Sequence, residues 1–257
     1  MKGVMIQGTA SNVGKSLITI AFCRLLAQEG INVAPFKLLN MTKDICIIHE
    51  QKKIALSQAL QAQASNVTPS IWMNPIVLNP KQTYILKGEP INNIRHEDVQ
   101  SVMQKAIESL QRCYDALVLE GMGSPVELNL KTKDMANMAV AEFADVPVIL
   151  VADISKGGVF ASIEGTLALL ADGQKHRVQG IVINKFHGDP TFFQDGVRII
   201  EERTNISVFG VIPYINNSTI KEAGSIQEED IDTITDIVRS HLNWDKVKQI
   251  MKRWSSE

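Results

Sequence analysis

A chain of 257 residues is long enough to bury a sizeable core, and its length fits one large α/β domain better than two small ones. A net charge of −2 with acids and bases interspersed excludes the electrostatic footprint of a nucleic-acid or membrane surface, and 45% apolar with 21% charged residues is ordinary for a soluble globular protein. Cys23, Cys46 and Cys113 are too scattered for a disulfide framework or a zinc cluster; with no membrane-length apolar run and no signal pattern before the first strand, the expectation is a cytoplasmic protein with reduced thiols.

The first predicted strand, Gly3-Val4-Met5-Ile6, runs into a glycine-rich stretch and then into an amphipathic helix with Leu17, Ile20, Ala21 and Leu25 on one side. Gly8-Thr-Ala-Ser-Asn-Val-Gly14-Lys15-Ser16 therefore lies between strand and helix, the layout of a phosphate-binding loop. Its glycines permit backbone conformations closed to other residues, so successive N–H groups turn toward one anion at a helix N-terminus. In that reading Gly8, Thr9, Ser11, Asn12, Val13, Gly14, Lys15, Ser16 and Leu17 contact a nucleotide. Lys15 meets the β- and γ-phosphates, and Ser16 offers a hydroxyl to Mg²⁺. Five residues separate Gly8 from the Gly14-Lys15-Ser16 triplet, one more than the common spacing.

The helix is expected to end at Gly30, followed by a strand over Ile31–Phe36 that delivers Lys37 to the edge where open α/β sheets bind ligands. Ala55–Ala64 reads as a helix by composition, and Asn66–Pro80 as an irregular excursion with a short extended piece at Ile76-Val77-Leu78. Another short strand is expected in Thr83–Pro90, then a helix over Ile94–Cys113. Tyr114-Asp-Ala-Leu-Val-Leu-Glu120 is a buried strand ending in a carboxylate, which makes Glu120 the first candidate for holding Mg²⁺, directly or through water. A helix over Asp134–Phe143, a strand over Pro147–Asp153, a helix over Ile163–Leu170 and a strand over Val178–Lys185 follow. Asn184 at that strand's end has the paired donor and acceptor to read an adenine edge, with Lys185 beside it, although asparagine is also a favoured turn residue. A helix over Phe192–Arg203, a last strand Val208–Ile212 and one long amphipathic helix Ile231–Trp254 complete the chain.

This alternation implies an α/β fold with a mostly parallel sheet covered by helices on both faces. Residues 1–225 are expected to form the nucleotide-binding domain, with 226–257 a helical tail packed on it or on a second subunit. Gly8, Lys37, Glu120, Asp153 and Asn184 should emerge together at one sheet edge.

The long-spaced loop resembles that of dethiobiotin synthetases and of the amide synthetases of cobalamin biosynthesis. The remaining segments narrow the resemblance to the cobyric acid synthase family: Pro35-Phe-Lys37, Asn40-Met41, Gln58-Ala-Leu-Gln-Ala-Gln63, Met73-Asn-Pro75, Glu120-Gly121, Gly123-Ser-Pro125, Glu127-Leu-Asn-Leu130, Asp134-Met-Ala-Asn137, Gly157-Gly-Val-Phe-Ala161, Ile183-Asn-Lys-Phe186 and Gly210-Val-Ile-Pro-Tyr214. The resemblance covers residues 1 to about 215 and implies a P-loop fold and ATP- and Mg²⁺-dependent phosphorylation of a corrin side-chain carboxylate, from which ammonia displaces phosphate. It assigns Lys15, Lys37 and Glu120 to the chemistry, Ser16 and Glu120 to Mg²⁺, and Asn184 to the base. A homodimer is expected from relatives that pair subunits across the nucleotide site.

Three departures stand out. Members of that family continue into a glutaminase domain with a nucleophilic cysteine; the last hundred residues here contain no cysteine, so ammonia is expected from elsewhere, a separate glutaminase subunit included. Lys53 stands where the family has an acidic residue, and Asp44 or Glu50 is expected to compensate at the metal. The stretches Asn79–Thr83 and Leu38-Leu39 differ from the family on the side expected to meet the corrin. Two alternatives follow: a nucleotide-binding or regulatory relative that does not amidate, and a ligase of the dethiobiotin synthetase type.

Overall fold

The computed structural model describes residues 2–79, 83–128, 135–215 and 227–254. Part of the Asn79–Thr83 departure, the end of the Glu127–Leu130 segment and Asp134 fall outside the described residues.

Six strands form one parallel sheet: β1 (Lys2–Gly8), β2 (Val33–Phe36), β9 (Ala116–Glu120), β10 (Val148–Asp153), β11 (Val178–Phe186) and β12 (Val208–Pro213), in the spatial order β12-β11-β10-β1-β9-β2. They are the near-continuous apolar runs of the sequence, as burial on both faces requires. Intervening strands are β3 (Leu39–Met41), β4 (Ile45–Ile47), β5 (Lys53–Ala55), β6 (Ile76–Leu78), β7 (Tyr84–Leu86) and β8 (Glu89–Ile91). The helices are α1 (Lys15–Gln28), α2 (Leu56–Ala64), α3 (His96–Cys113), α4 (Met138–Ala144), α5 (Val159–Leu169), α6 (Asp172–Lys175), α7 (Gln194–Thr204), α8 (Glu228–His241) and α9 (Trp244–Trp254). Two cores fill the two sides of the sheet. Met5, Phe36, Leu119 and Leu150 pack with α3, α4 and α5, while Val4, Ile6, Val118 and Ile149 pack with α1, α8 and α9.

The region between β2 and α3 differs from the expectation. Where one strand was expected in Thr83–Pro90, β7 and β8 form a hairpin through Lys87 and Gly88, both at positive φ, and with β3 and β6 they make a second sheet in the order β3-β6-β7-β8. A separate antiparallel pair, β4 and β5, leads into α2. Buried Asn74 ties this region to the main sheet, donating to the Lys37 carbonyl at 2.8 Å and accepting the Ala55 N–H at 3.0 Å.

The expected single helix over Ile231–Trp254 is two. Leu242 is extended and bridges antiparallel to Gly210 on edge strand β12, and the Asn243 N–H donates to the Phe209 carbonyl at 2.7 Å. The approach is so close that a Cβ on Gly210 would lie 2.2 Å from the His241 carbonyl oxygen. Pairing with the sheet edge outweighs helix continuity here, and the Asn243 side chain starts the next helix by accepting the Lys246 N–H at 3.0 Å. The tail lies against α1, where Arg24 pairs with Glu228 and with Asp232 (3.2 Å), and Phe22 meets Trp244 edge to face.

Candidate functional site: a phosphate loop backed by a buried lysine–carboxylate pair

The loop leaves β1 at Gly8, with Thr9 N–H held on the Val151 carbonyl of β10 at 3.0 Å. Asn12 (φ 60°) and Gly14 (φ 98°) take left-handed conformations, so the chain coils before α1 begins at Lys15. Neither glycine tolerates a side chain: a Cβ on Gly8 would lie 2.5 Å from Val13 Cγ2, and one on Gly14 would lie 2.0 Å from Asn184 Nδ2. The Lys15 ammonium folds over the coil, donating to the Ala10 carbonyl at 3.0 Å and the Gly123 carbonyl at 2.7 Å. Burial drives its pKa down to about 8, against the upward pull of Glu120 and Glu127 and with help from the Lys37 charge. The loop carries an ammonium in search of an anion.

Strand register explains the pair behind it. Ile6 of β1 lies opposite Glu120 of β9, and Phe36 of β2 opposite Leu119, so Lys37 and Glu120 meet on the α1 side of the sheet one step beyond the last apolar residues. Lys37 Nζ donates to Glu120 Oε1 at 2.6 Å, Ser16 Oγ donates to the same oxygen at 2.8 Å, and Gln61 Nε2 of α2 donates to Oε2 at 2.6 Å. Burial alone would raise the Glu120 carboxyl; the adjacent Lys37 charge and the three hydrogen bonds overcome it and hold the group below the usual carboxylate range. Ser16 spends its hydrogen on Glu120, which leaves the hydroxyl lone pairs for a cation.

On the other flank, Asn184 Nδ2 donates to the Val13 carbonyl at 2.8 Å, and Lys185 Nζ bridges the Asn12 carbonyl (2.5 Å) and Asp153 Oδ2 (2.8 Å). Asn184, expected to face a base, is buried and gives its donor to the loop. Both residues act here as braces that fix the coil. Gly8, Lys37, Glu120, Asp153 and Asn184 do share the carboxyl edge of the sheet, with Asp153 opposite Asn184 in register.

Asp44 stands apart. Its exposed carboxylate has no hydrogen bond or ion pair to Ser16 or Glu120 among the described residues, and its backbone carbonyl instead accepts the Leu56 N–H that opens α2. Glu50 is likewise exposed, in a short turn beside His49. Among the described residues no three His, Cys, Asp or Glu side chains gather as a metal cluster. A magnesium carried by a triphosphate does not need one, since phosphate oxygens and waters fill most of its octahedron.

Two positions went unread in the sequence. Gln61 looks like one glutamine of an Ala/Gln-rich helix, yet it fixes Glu120, and its own Oε1 is a buried acceptor without a partner among the described residues. Asn137 clamps the loop after β9: its Oδ1 accepts the Met122 N–H at 2.9 Å, and its Nδ2 donates to the carbonyls of Met122 (2.9 Å) and Ser124 (3.2 Å). Only a bare Gly121 fits beneath it, because a Cβ there would lie 2.5 Å from Asn137 Oδ1. A glycine cradle that excludes side chains, a buried lysine above it and a hydroxyl with free lone pairs fit a triphosphate with its cation.

Comparison with known proteins gives the family and the fold. The family model described as AAA domain matches residues 2–222. The chain belongs to that family. It is 42% identical over 236 residues to a probable cobyric acid synthase of Methanothermobacter thermautotrophicus, covering 87% of this chain and 47% of that protein. It is 44% identical over 233 residues to the cobyric acid synthase of Caldanaerobacter subterraneus subsp. tengcongensis, covering 86% and 46%. The resemblance read from the motifs is thus borne out, and the chain spans about half the length of the curated relatives it matches. Among solved structures, the MinD cell division protein of Aquifex aeolicus superposes with a TM-score of 0.53 at 14% identity, covering 93% of this chain and 96% of that one. Chloroplast FtsY of Physcomitrella patens gives 0.52 at 14% identity, covering 92% and 65%. At those identities the likeness shows the fold alone: the α/β P-loop architecture, as expected from the sequence. No described helix is long and apolar enough to cross a membrane.

Proposed function

We propose that this chain binds ATP with Mg²⁺ and phosphorylates a side-chain carboxylate of a corrin for amidation, the chemistry its resemblance to cobyric acid synthases implies. The observation that carries the reading is the contact of Ser16 and Lys37 with one oxygen of Glu120 directly behind the glycine coil. With the metal–nucleotide bound, the loop amides and Lys15 hold the β- and γ-phosphates, Ser16 faces the cation, and Glu120 orients Ser16 and Lys37 from behind. Magnesium supplies charge neutralisation on the transferring phosphoryl group. Lys37, held by Glu120 beside the coil, stabilises negative charge as the carboxylate oxygen attacks.

Ammonia comes from outside these 257 residues, from solution or from a glutaminase. Cys23 and Cys46 are poor nucleophile candidates: Cys23 is fully buried, which pushes its thiol up to about 12, and Cys46 is raised by burial too. A cytoplasmic location and a homodimer complete the proposal.

Titration calorimetry with ATP and Mg²⁺ tests the first half. Wild type should bind, and Lys15→Ala should lose at least tenfold in affinity; equal affinity would refute the loop assignment. For the second half, ATP hydrolysis should rise when adenosylcobyrinic diamide and ammonia are added together. Bound nucleotide without stimulation would favour the non-amidating relative.

A further inference from the structure

Glu127 has no role in the site as described so far, yet it lies at the mouth of the loop. Three groups converge on Gly123, which sits at φ 60°. Its carbonyl accepts Lys15 Nζ at 2.7 Å. The space a Cβ would take there lies 3.2 Å from Glu127 Oε1 and 3.6 Å from Ser11 Oγ. The Glu127 carboxylate therefore lies beside the glycine that holds the Lys15 ammonium, next to the Ser11 hydroxyl of the loop, and its charge acts on that ammonium. It is exposed, with no hydrogen bond or ion pair among the described residues.

Glu120 is differently placed. Of its roughly four lone-pair directions, three are filled by Ser16, Lys37 and Gln61, and Lys37 neutralises its charge. A dication on the terminal phosphates meets little free carboxylate there. Lys53, a cation, stands where relatives were expected to supply an acid, and exposed Asp44 does not reach the pair. Glu127 is the carboxylate near Lys15 with its oxygens uncommitted among the described residues.

We propose that Glu127 makes the loop selective for the metal–nucleoside triphosphate complex. Its carboxylate repels a bare triphosphate and attracts one that carries a divalent cation, meeting the cation directly or through a coordinated water. The inference rests on the nucleotide-binding reading above.

The test measures ATP dissociation constants in excess Mg²⁺ and in EDTA by titration calorimetry, for wild type, Glu127→Gln and Glu127→Asp. In wild type the ratio of the two constants should strongly favour the magnesium complex. Glu127→Gln should shrink that ratio roughly tenfold by weakening Mg²⁺–ATP and strengthening metal-free ATP, the size expected for one charge at this range in a high-dielectric mouth; Glu127→Asp should keep most of it. An unchanged ratio in Glu127→Gln, or an equal loss for both forms of ATP, overturns the proposal while leaving nucleotide binding intact. Wild type that binds neither form overturns both readings.

Discussion

Two lysine–carboxylate pairs flank the same loop, and they differ in everything but composition. Lys37–Glu120 is buried on both sides, with exposures of 9% and 1%, and is closed by Ser16 and Gln61. Lys185–Asp153 is partly open to water, at 24% and 10%, and its lysine also ties down the Asn12 carbonyl. A buried pair is dangerous to break, because the survivor keeps its desolvation cost without its partner. A wetter pair loses little when opened. The first is a structural commitment of the sheet, and the second is a brace on the coil.

The largest expected effect separates them directly. Lys37→Met strands the Glu120 charge and should cost about 3–5 kcal/mol in urea unfolding, while Lys37→Met with Glu120→Gln should recover much of it. A loss no greater than that of Lys185→Met would erase the distinction. The pH dependence has a defined sign. The folded Glu120 and Asp153 carboxyls both lie below their ordinary values, so their stabilisation is present above the unfolded carboxylate pKa and lost as pH falls through the folded one. Glu120→Gln should flatten that acid limb more than Asp153→Asn does.

Next comes Lys15, whose depressed pKa makes the empty loop costly. Between about 8 and 10.5 the unfolded chain holds more protons than the folded one, so this residue makes stability rise with pH across that window. Affinity runs the other way: a triphosphate selects the charged amine, so ATP binding should weaken as pH rises through about 8. Lys15→Met should abolish the ATP-dependent rise in Tm and leave the ligand-free Tm equal or higher. A marked fall in the ligand-free Tm would mean that the Ala10 and Gly123 contacts outweigh the burial of the charge.

The smallest effect belongs to the brace. Lys185→Met should cost at most about 1 kcal/mol in stability and weaken ATP binding by a few fold through a looser coil. A loss matching Lys15→Ala would promote Lys185 from brace to ligand.

The main sheet was legible because each central strand is a short apolar run bounded by polar residues, glycine or proline. Glu120 and Lys37 were found that way, one strand end at a time. Their contact was not, since the pairing of β2 with β9 depends on strand order, which no local pattern encodes. Gln61 was missed for the same reason: only the packing of α2 shows which of its glutamines reaches Glu120. The β7–β8 hairpin escaped because its strands are three residues each and Lys87 is not a usual turn residue at positive φ. The break in the tail was half visible, in Asn243 ahead of Trp-Asp-Lys, but Leu242 fits the helical stripe as well as it fits a strand edge.

The clasp between Arg24 and α8 makes the helix of the phosphate loop depend on distant sequence. Helix α1 carries the phosphate-loop lysine at its start, and its outer flank is covered by residues 228–254, the last described part of the chain. Without residues 228–254 that flank of α1 loses their cover, and its apolar side chains are left open to solvent. The rigidity of the loop's own helix is thus shared between residues 204 positions apart in the chain.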